Sequence, residues 1–382
     1  MLKIHHGLSV ESLLPHNVVE LILERLSVRT LLRFRCVSKT WKTTTDSRTF
    51  QKQQLIRRRR QSGDADNVLF VCILDYSDYE ARRMRIMLGS QVIFTIMLPF
   101  LIIEVCHGSC DGLLCLADFF APNFVINPVP GWHHSFPYSI FQKLVTEWYN
   151  KGDYRISGPK IGFGKDKLRG TYKPVWLYNS SQFGLDNVTT CEVFDFGTNA
   201  WRYVLPASPY RISGYHFLLY LDGSLYWFTE CEEETKVLSS CLQTETFQIF
   251  SKTPFAHLLG KLSDFIISVL DNRLCVSKYA WPNQVIWLLL LDDSSSSGTC
   301  AKFCYTDLIR TFDWFGALHR ALEPVAILDK NKLLLHGFGY MIPMGALVIY
   351  DLHTKSLSLL YTPTTLGQCV CYFPSLLTAL LY

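Results

Sequence analysis

Cys106, His107 and Cys110, with Cys115 close behind, place three thiols and an imidazole on one short stretch of chain, as a metal centre would require. The spacing matches no zinc pattern, and the segment reads as an apolar strand running into a hairpin corner. These cysteines are expected to be core residues, since free Cys packs as a small hydrophobe. Gly162-Phe163-Gly164 could cradle a phosphate, but neither a Lys-Ser/Thr pair nor a helix follows it. Asp111, Asp222, Asp271 and Asp351 could serve acid–base chemistry, yet they stand at turn positions, where Asp tolerates the backbone required. No nucleophile elbow, His-Glu metal helix or ordered triad is present. The residues therefore predict a protein with no catalytic residues, no metal and no cofactor.

Three other features bear on binding. Arg57 to Arg60 could be a nuclear-import signal or a phosphate patch, but short basic runs more often extend a solvated helix. His133-His134 follow Pro128, Pro130 and Gly131 and read as a loop. Trp176, Trp201, Trp227, Trp281, Trp287 and Trp314 are better placed in sheet cores than in an aromatic cage.

The elements that carry these residues change type along the chain. Pro15 suits a first helical turn, because its missing N–H would find no partner there. Val18, Val19, Leu21, Ile22 and Leu26 then recur at helical spacing. Ser27 can cap a second helix with an apolar face of Leu31, Leu32, Phe34, Val37 and Trp41, and Ser38 a third ending near Phe50. Gln54 to Asn67 passes from arginines into Ser, Gly, Asp and Asn, which is linker chemistry. From Val68 the period becomes that of strands.

The body repeats one pattern: an apolar run, a tight polar corner, another apolar run. Asp111-Gly112, Asp222-Gly223, Asp271-Asn272 and Asp329–Asn331 are such corners, and these residues accept the positive φ of a hairpin turn. Irregular units of about 40–60 residues with about four strands each indicate a β-propeller of roughly five or six blades. A propeller must hide its free edges, so the run from Val68 and the run near Cys369 are expected to pair and close the ring.

Composition fits this division. Residues 1–60 hold 13 Lys and Arg against 4 Asp and Glu, and the rest holds 24 against 29. A basic head on a mildly acidic body suggests two units with different partners and argues against nucleic-acid binding along the chain. Thirteen cysteines, an odd number with apolar neighbours, indicate a reducing compartment, cytoplasmic and/or nuclear. The apolar run Val92 to Cys106 contains Pro99 and Glu104 and is shorter than the roughly 20 residues of a spanning helix, so no membrane is expected.

"LLPHNVVELILERLSVRTLLRFRCVSKTW", Leu13 to Trp41, resembles an F-box. The later stretches "SCDGLLCL", "INP", "GFGKDKLRGTYKPV", "FDFGTNAWRYV", "LDGSLYWF", "VIYD" and "CYFPSLL" resemble, in order, the F-box-associated, kelch-like domain of plant F-box proteins. Departures are His16-Asn17 in place of an acidic pair, Ser27 in place of a proline, and Pro174 inside a strand, where an edge or bulge is expected. The resemblance implies an α+β multidomain chain: a small three-helix F-box at 8–53, a basic and polar linker at 54–67, and an all-β, antiparallel propeller-like domain at 68–382.

It also implies a non-catalytic substrate-recognition subunit of a Skp–cullin–F-box ubiquitin ligase, docked on a Skp-family adaptor and, through it, a cullin–RING ligase. Leu14, Pro15, Val18, Ile22, Leu26, Leu31, Leu32, Val37 and Trp41 match the motif and are the candidate adaptor contacts, some of which must also form the bundle's core. The alternative is a propeller scaffold acting without a ligase. The resemblance further implies a substrate protein, selected through the propeller's loops, where specificity resides.

Overall fold

The computed structural model describes residues 15–61, 69–74, 83–88, 91–97, 104–106, 108–152, 159–185, 188–214, 216–230, 236–250, 262–290, 299–318, 320–329, 331–338, 345–362 and 367–377. Four helices form the head: α1 (His16–Leu23), α2 (Val28–Phe34), α3 (Lys39–Asp46) and α4 (Arg48–Gln61). Local chemistry sets their starts. Pro15 precedes α1, Ser27 accepts the Thr30 N–H, and Ser38 accepts those of Thr40 and Trp41.

The three-helix expectation is corrected here. Ser47 is extended (φ −69°, ψ 137°), ends α3, and accepts the Phe50 N–H with its hydroxyl, which restarts the chain as α4. Helix α4 continues to Gln61, so the first half of the expected linker is helical. Gln54 is fully buried there and donates to the Leu26 carbonyl at 3.3 Å.

Among the described residues the strands form six four-stranded antiparallel sheets. Blade two holds Glu104–Val105, Leu114–Ala117, Phe124–Asn127 and Trp132–Ser135. Blade three holds Lys160–Lys165, Tyr172–Asn179, Thr189–Asp195 and Ala200–Tyr203. Blades four, five and six begin at Leu219, Phe265 and Glu323. Their first strands adjoin in ring order and meet the final strand, Gly367–Tyr372. That strand pairs with Leu69–Leu74 in the register Leu69↔Tyr372 to Leu74↔Gly367, completing blade one. The ring closes with strands from both ends of the body, as its patterning predicts.

Three of the four polar corners behave as expected, and the fourth, at Asp329–Asn331, includes a residue outside those described. Asp111, Asp222, Asp271 and Asn272 have φ between 50° and 56°. Three other readings change. His133 and His134 lie in the outer strand of blade two, opposite Ile126 and Val125. Pro174 lies in an inner strand, in register with Phe163, where the ladder to the next strand has already stopped at Val175–Val193. The body also carries a helix, α5 (Ile140–Asn150), between blades two and three. A full capping box starts it: Ser139 accepts the Gln142 N–H, and the Gln142 side chain accepts that of Ser139.

Blade topology gives the ring two faces. Hairpins joining first to second and third to fourth strands open on one; the remaining connections, α5 included, open on the other. The head sits on the first face, since Val129, between the third and fourth strands of blade two, packs against the head's core.

Candidate functional site: the helical head and its seat on the propeller

The head's core is Val19, Leu23, Val28, Leu31 and Phe50, with Leu26, Leu32, Phe34 and Trp41 packed round it. Val19 and Leu23 are one helical turn apart and turn inward, which leaves Leu21 and Ile22 facing out. These are 52 % and 47 % exposed, and Val37, after α2, is 66 % exposed. Pro15 is exposed at the start of α1. Phe34 and Trp41 brace α2 on α3, with ring centroids 5.3 Å apart, and Arg35 pairs with Asp46 at 2.6 Å.

The nine candidate contacts therefore divide. Pro15, Ile22 and Val37 are exposed, and Val18, Leu26, Leu32 and Trp41 are half-buried. Leu31 is fully buried in the head's own core, so it supports the face rather than forming it. Leu14 lies outside the described residues. Leu21 joins the exposed set, although it sits on the same apolar stripe in sequence. Arg25, Arg29, Arg33, Lys39, Lys42 and Arg48 are exposed on the same helices and give the head a basic surface. Of the arginine run, Arg57 is half-buried and reaches Glu24 at 3.5 Å. Exposed apolar side chains amid charges have the form of a docking face rather than a reaction centre.

The seat is made by the C-terminal segment. Leu376 is 2 % exposed and belongs to the head's core, while the next residue, Leu377, belongs to the propeller's, together with Leu55 of α4. Asn127 of blade two holds this segment. Its side-chain amide donates to the Ser375 hydroxyl (3.0 Å) and to the carbonyls of Ser375 (3.2 Å) and Leu377 (2.8 Å). The Tyr372 hydroxyl donates back to the Asn127 side-chain oxygen at 2.8 Å.

Two buried polar groups fix the blades behind this junction. Asp111, at a hairpin corner on the head side, accepts from Lys165 Nζ at 2.8 Å and from the Tyr172 hydroxyl at 2.7 Å. On the opposite face, fully buried Glu192 accepts from the Tyr178 hydroxyl (2.6 Å) and from the Ile140 N–H at the start of α5 (2.9 Å). Burial pushes the Glu192 carboxyl up to about 7, against the opposing pull of its hydrogen bonds from Tyr178 and the helix start. The same face exposes Phe120 and Tyr149, whose rings are 5.1 Å apart, beside Tyr138.

Chemistry is sparse elsewhere. Cys106, Cys110 and Cys115 are buried in the core, and among the described residues no three His, Cys, Asp or Glu side chains gather as metal ligands would. No described helix is long and apolar enough to cross a membrane.

A propeller bearing a helical docking head defines a class of binding proteins, and comparison with known proteins fixes the family. Residues 12–53 match the F-box domain and residues 83–378 the F-box associated beta propeller domain. The chain is 46 % identical to the Arabidopsis thaliana "F-box/LRR-repeat/kelch-repeat protein At1g09650", covering 99 % of this chain and all of that one. It is 50 % identical to "F-box protein At1g11270" of the same plant, over 78 % of this chain and 93 % of that one. The chain belongs to the F-box proteins with an F-box-associated propeller. This organisation supports a substrate-recognition role in Skp–cullin–F-box ligases generally, and F-box proteins are typically non-catalytic subunits that bind Skp-family adaptors.

Proposed function

We propose that this chain recruits one target protein to a Skp–cullin–F-box ubiquitin ligase, working in the cytoplasm or nucleus. The adaptor docks on Pro15, Val18, Leu21, Ile22 and Val37, with Leu26, Leu32 and Trp41 at its margin and Leu14 continuing the motif. The observation that carries this reading is a head whose exposed apolar residues remain uncovered although its core is complete. The substrate is received on the ring face away from the head, where the longer connections and α5 lie. The protein contributes proximity: it holds the target where a ubiquitin-charged enzyme can reach it. We place the boundary between head and body after Gln61, because α4 packs with both.

Co-purification with a Skp-family adaptor and a cullin from plant cells tests the reading. Native protein is expected to bring both, and an Ile22→Asp, Val37→Asp variant neither. A native protein that captures no adaptor would instead favour a scaffold working without a ligase.

A further inference from the structure

The head is small, and its core borrows a residue from the far end of the chain. Leu376 lies against the Val19, Leu23, Val28, Leu31 and Phe50 cluster more than 300 positions later in sequence. It arrives there because the segment 373–377 leaves directly from Tyr372, the last residue of the strand that closes the ring. Within it, Leu376 packs into the head and the next residue, Leu377, into the propeller. Asn127 and Ser109 of blade two clamp the segment on its way, the latter accepting the Phe373 N–H at 3.3 Å. Gly112 lets it pass: a Cβ at that position would lie 2.5 Å from the Ser375 hydroxyl and 2.7 Å from the Phe373 carbonyl oxygen.

We propose that this C-terminal strap makes the head's competence conditional on ring closure. When the last strand is unpaired, Leu376 is not delivered, the head's core lacks a wall, and the docking face loses its support. A chain with an open propeller, which cannot hold a target correctly, is thereby kept from its adaptor. The inference rests on the adaptor reading above for its purpose, but not for its test.

The test is amide hydrogen exchange on the full-length chain, comparing the α2 segment, Val28–Phe34, with the blade-five strand Phe265–Leu270. Three variants are informative. Leu376→Ala removes the borrowed wall, Asn127→Ala releases the strap without touching the head, and Val71→Pro breaks the closing ladder. All three are expected to speed α2 exchange by roughly tenfold or more while blade five keeps its native protection, because local opening is set by local contacts. If Val71→Pro unfolds blade five as well, the other two variants decide. Native α2 protection in Leu376→Ala and Asn127→Ala would overturn the proposal, as would α2 and blade five losing protection together in both. A native head that is protected yet binds no purified Skp-family adaptor would sink only the adaptor reading.

Discussion

Asn127 and Leu377 are hydrogen-bonded at 2.8 Å across 250 positions of sequence. Through that contact blade two grips the chain's end, and the chain's end grips the head. The head and propeller are therefore packed together through α4 and the strap, rather than strung on a loose linker.

The crossing of strap and corner gives the first prediction. Gly112 has φ +81°, and a side chain there would collide with the strap. Gly112→Ala is expected to cost about 2–4 kcal/mol, from the left-handed backbone and the clash together. Gly170→Ala, at φ +73° with open space around it, should cost only the backbone share, about 1–2 kcal/mol. Urea unfolding of both variants measures the difference, and equal losses would remove the strap from the explanation.

Asp111 and Asp222 occupy equivalent corners with opposite surroundings. Asp111 is 3 % exposed and satisfies Lys165 and Tyr172, whereas Asp222 is exposed and pairs with exposed Lys167. Asparagine keeps the turn at either site, so substitution isolates the charge. Asp111→Asn should lose about 1.5–3 kcal/mol, and Asp222→Asn less than about 1 kcal/mol. Thermal melts that fall equally would mean the corner alone matters.

Glu192 makes stability depend on pH. Its folded value of about 7 lies above the ordinary carboxyl value of 4.5, so the folded state holds the extra proton between them. The stability linked to that proton is complete below about pH 4.5 and is lost as pH rises through about 7. The loss is on the order of 3 kcal/mol. Native protein should therefore lose melting temperature relative to Glu192→Gln between pH 5 and pH 7.5. Parallel profiles would contradict this assignment.

The sequence shows the two-part organisation because each part has its own period: helical spacing from Val18, alternation from Val68. Closure was also legible, since Val68–Leu74 and Cys369–Tyr372 were apolar runs at the two ends of a body that could not leave an edge bare. Long-range partnership was not. Leu31 and Ile22 both match the docking motif, and only packing shows that one is core and the other surface. Leu376 looks like any terminal leucine until the strap is traced. Ser47 has the chemistry of a cap, but Trp41 to Phe50 offers little apolar periodicity to separate two helices. Helix α5 was announced by Ser139 and Gln142 but sits inside a strand-rich stretch. Trp281, expected in a blade core, is 47 % exposed at a turn, because a Trp-Pro pair ends its strand.

The docking face is tested most directly by calorimetric titration of a purified Skp-family adaptor into full-length native, Ile22→Ala/Val37→Ala and Arg33→Gln/Lys39→Gln chains, with melts run beside them. The apolar pair should lower affinity by roughly thirtyfold or more, the size of a 2 kcal/mol hot spot, and leave the melting temperature within about a degree of native. The two rim charges should change affinity only a few-fold and lose that effect in high salt. An apolar variant that binds like native, while the charge variant abolishes binding, would contradict the account and make the head an electrostatic contact.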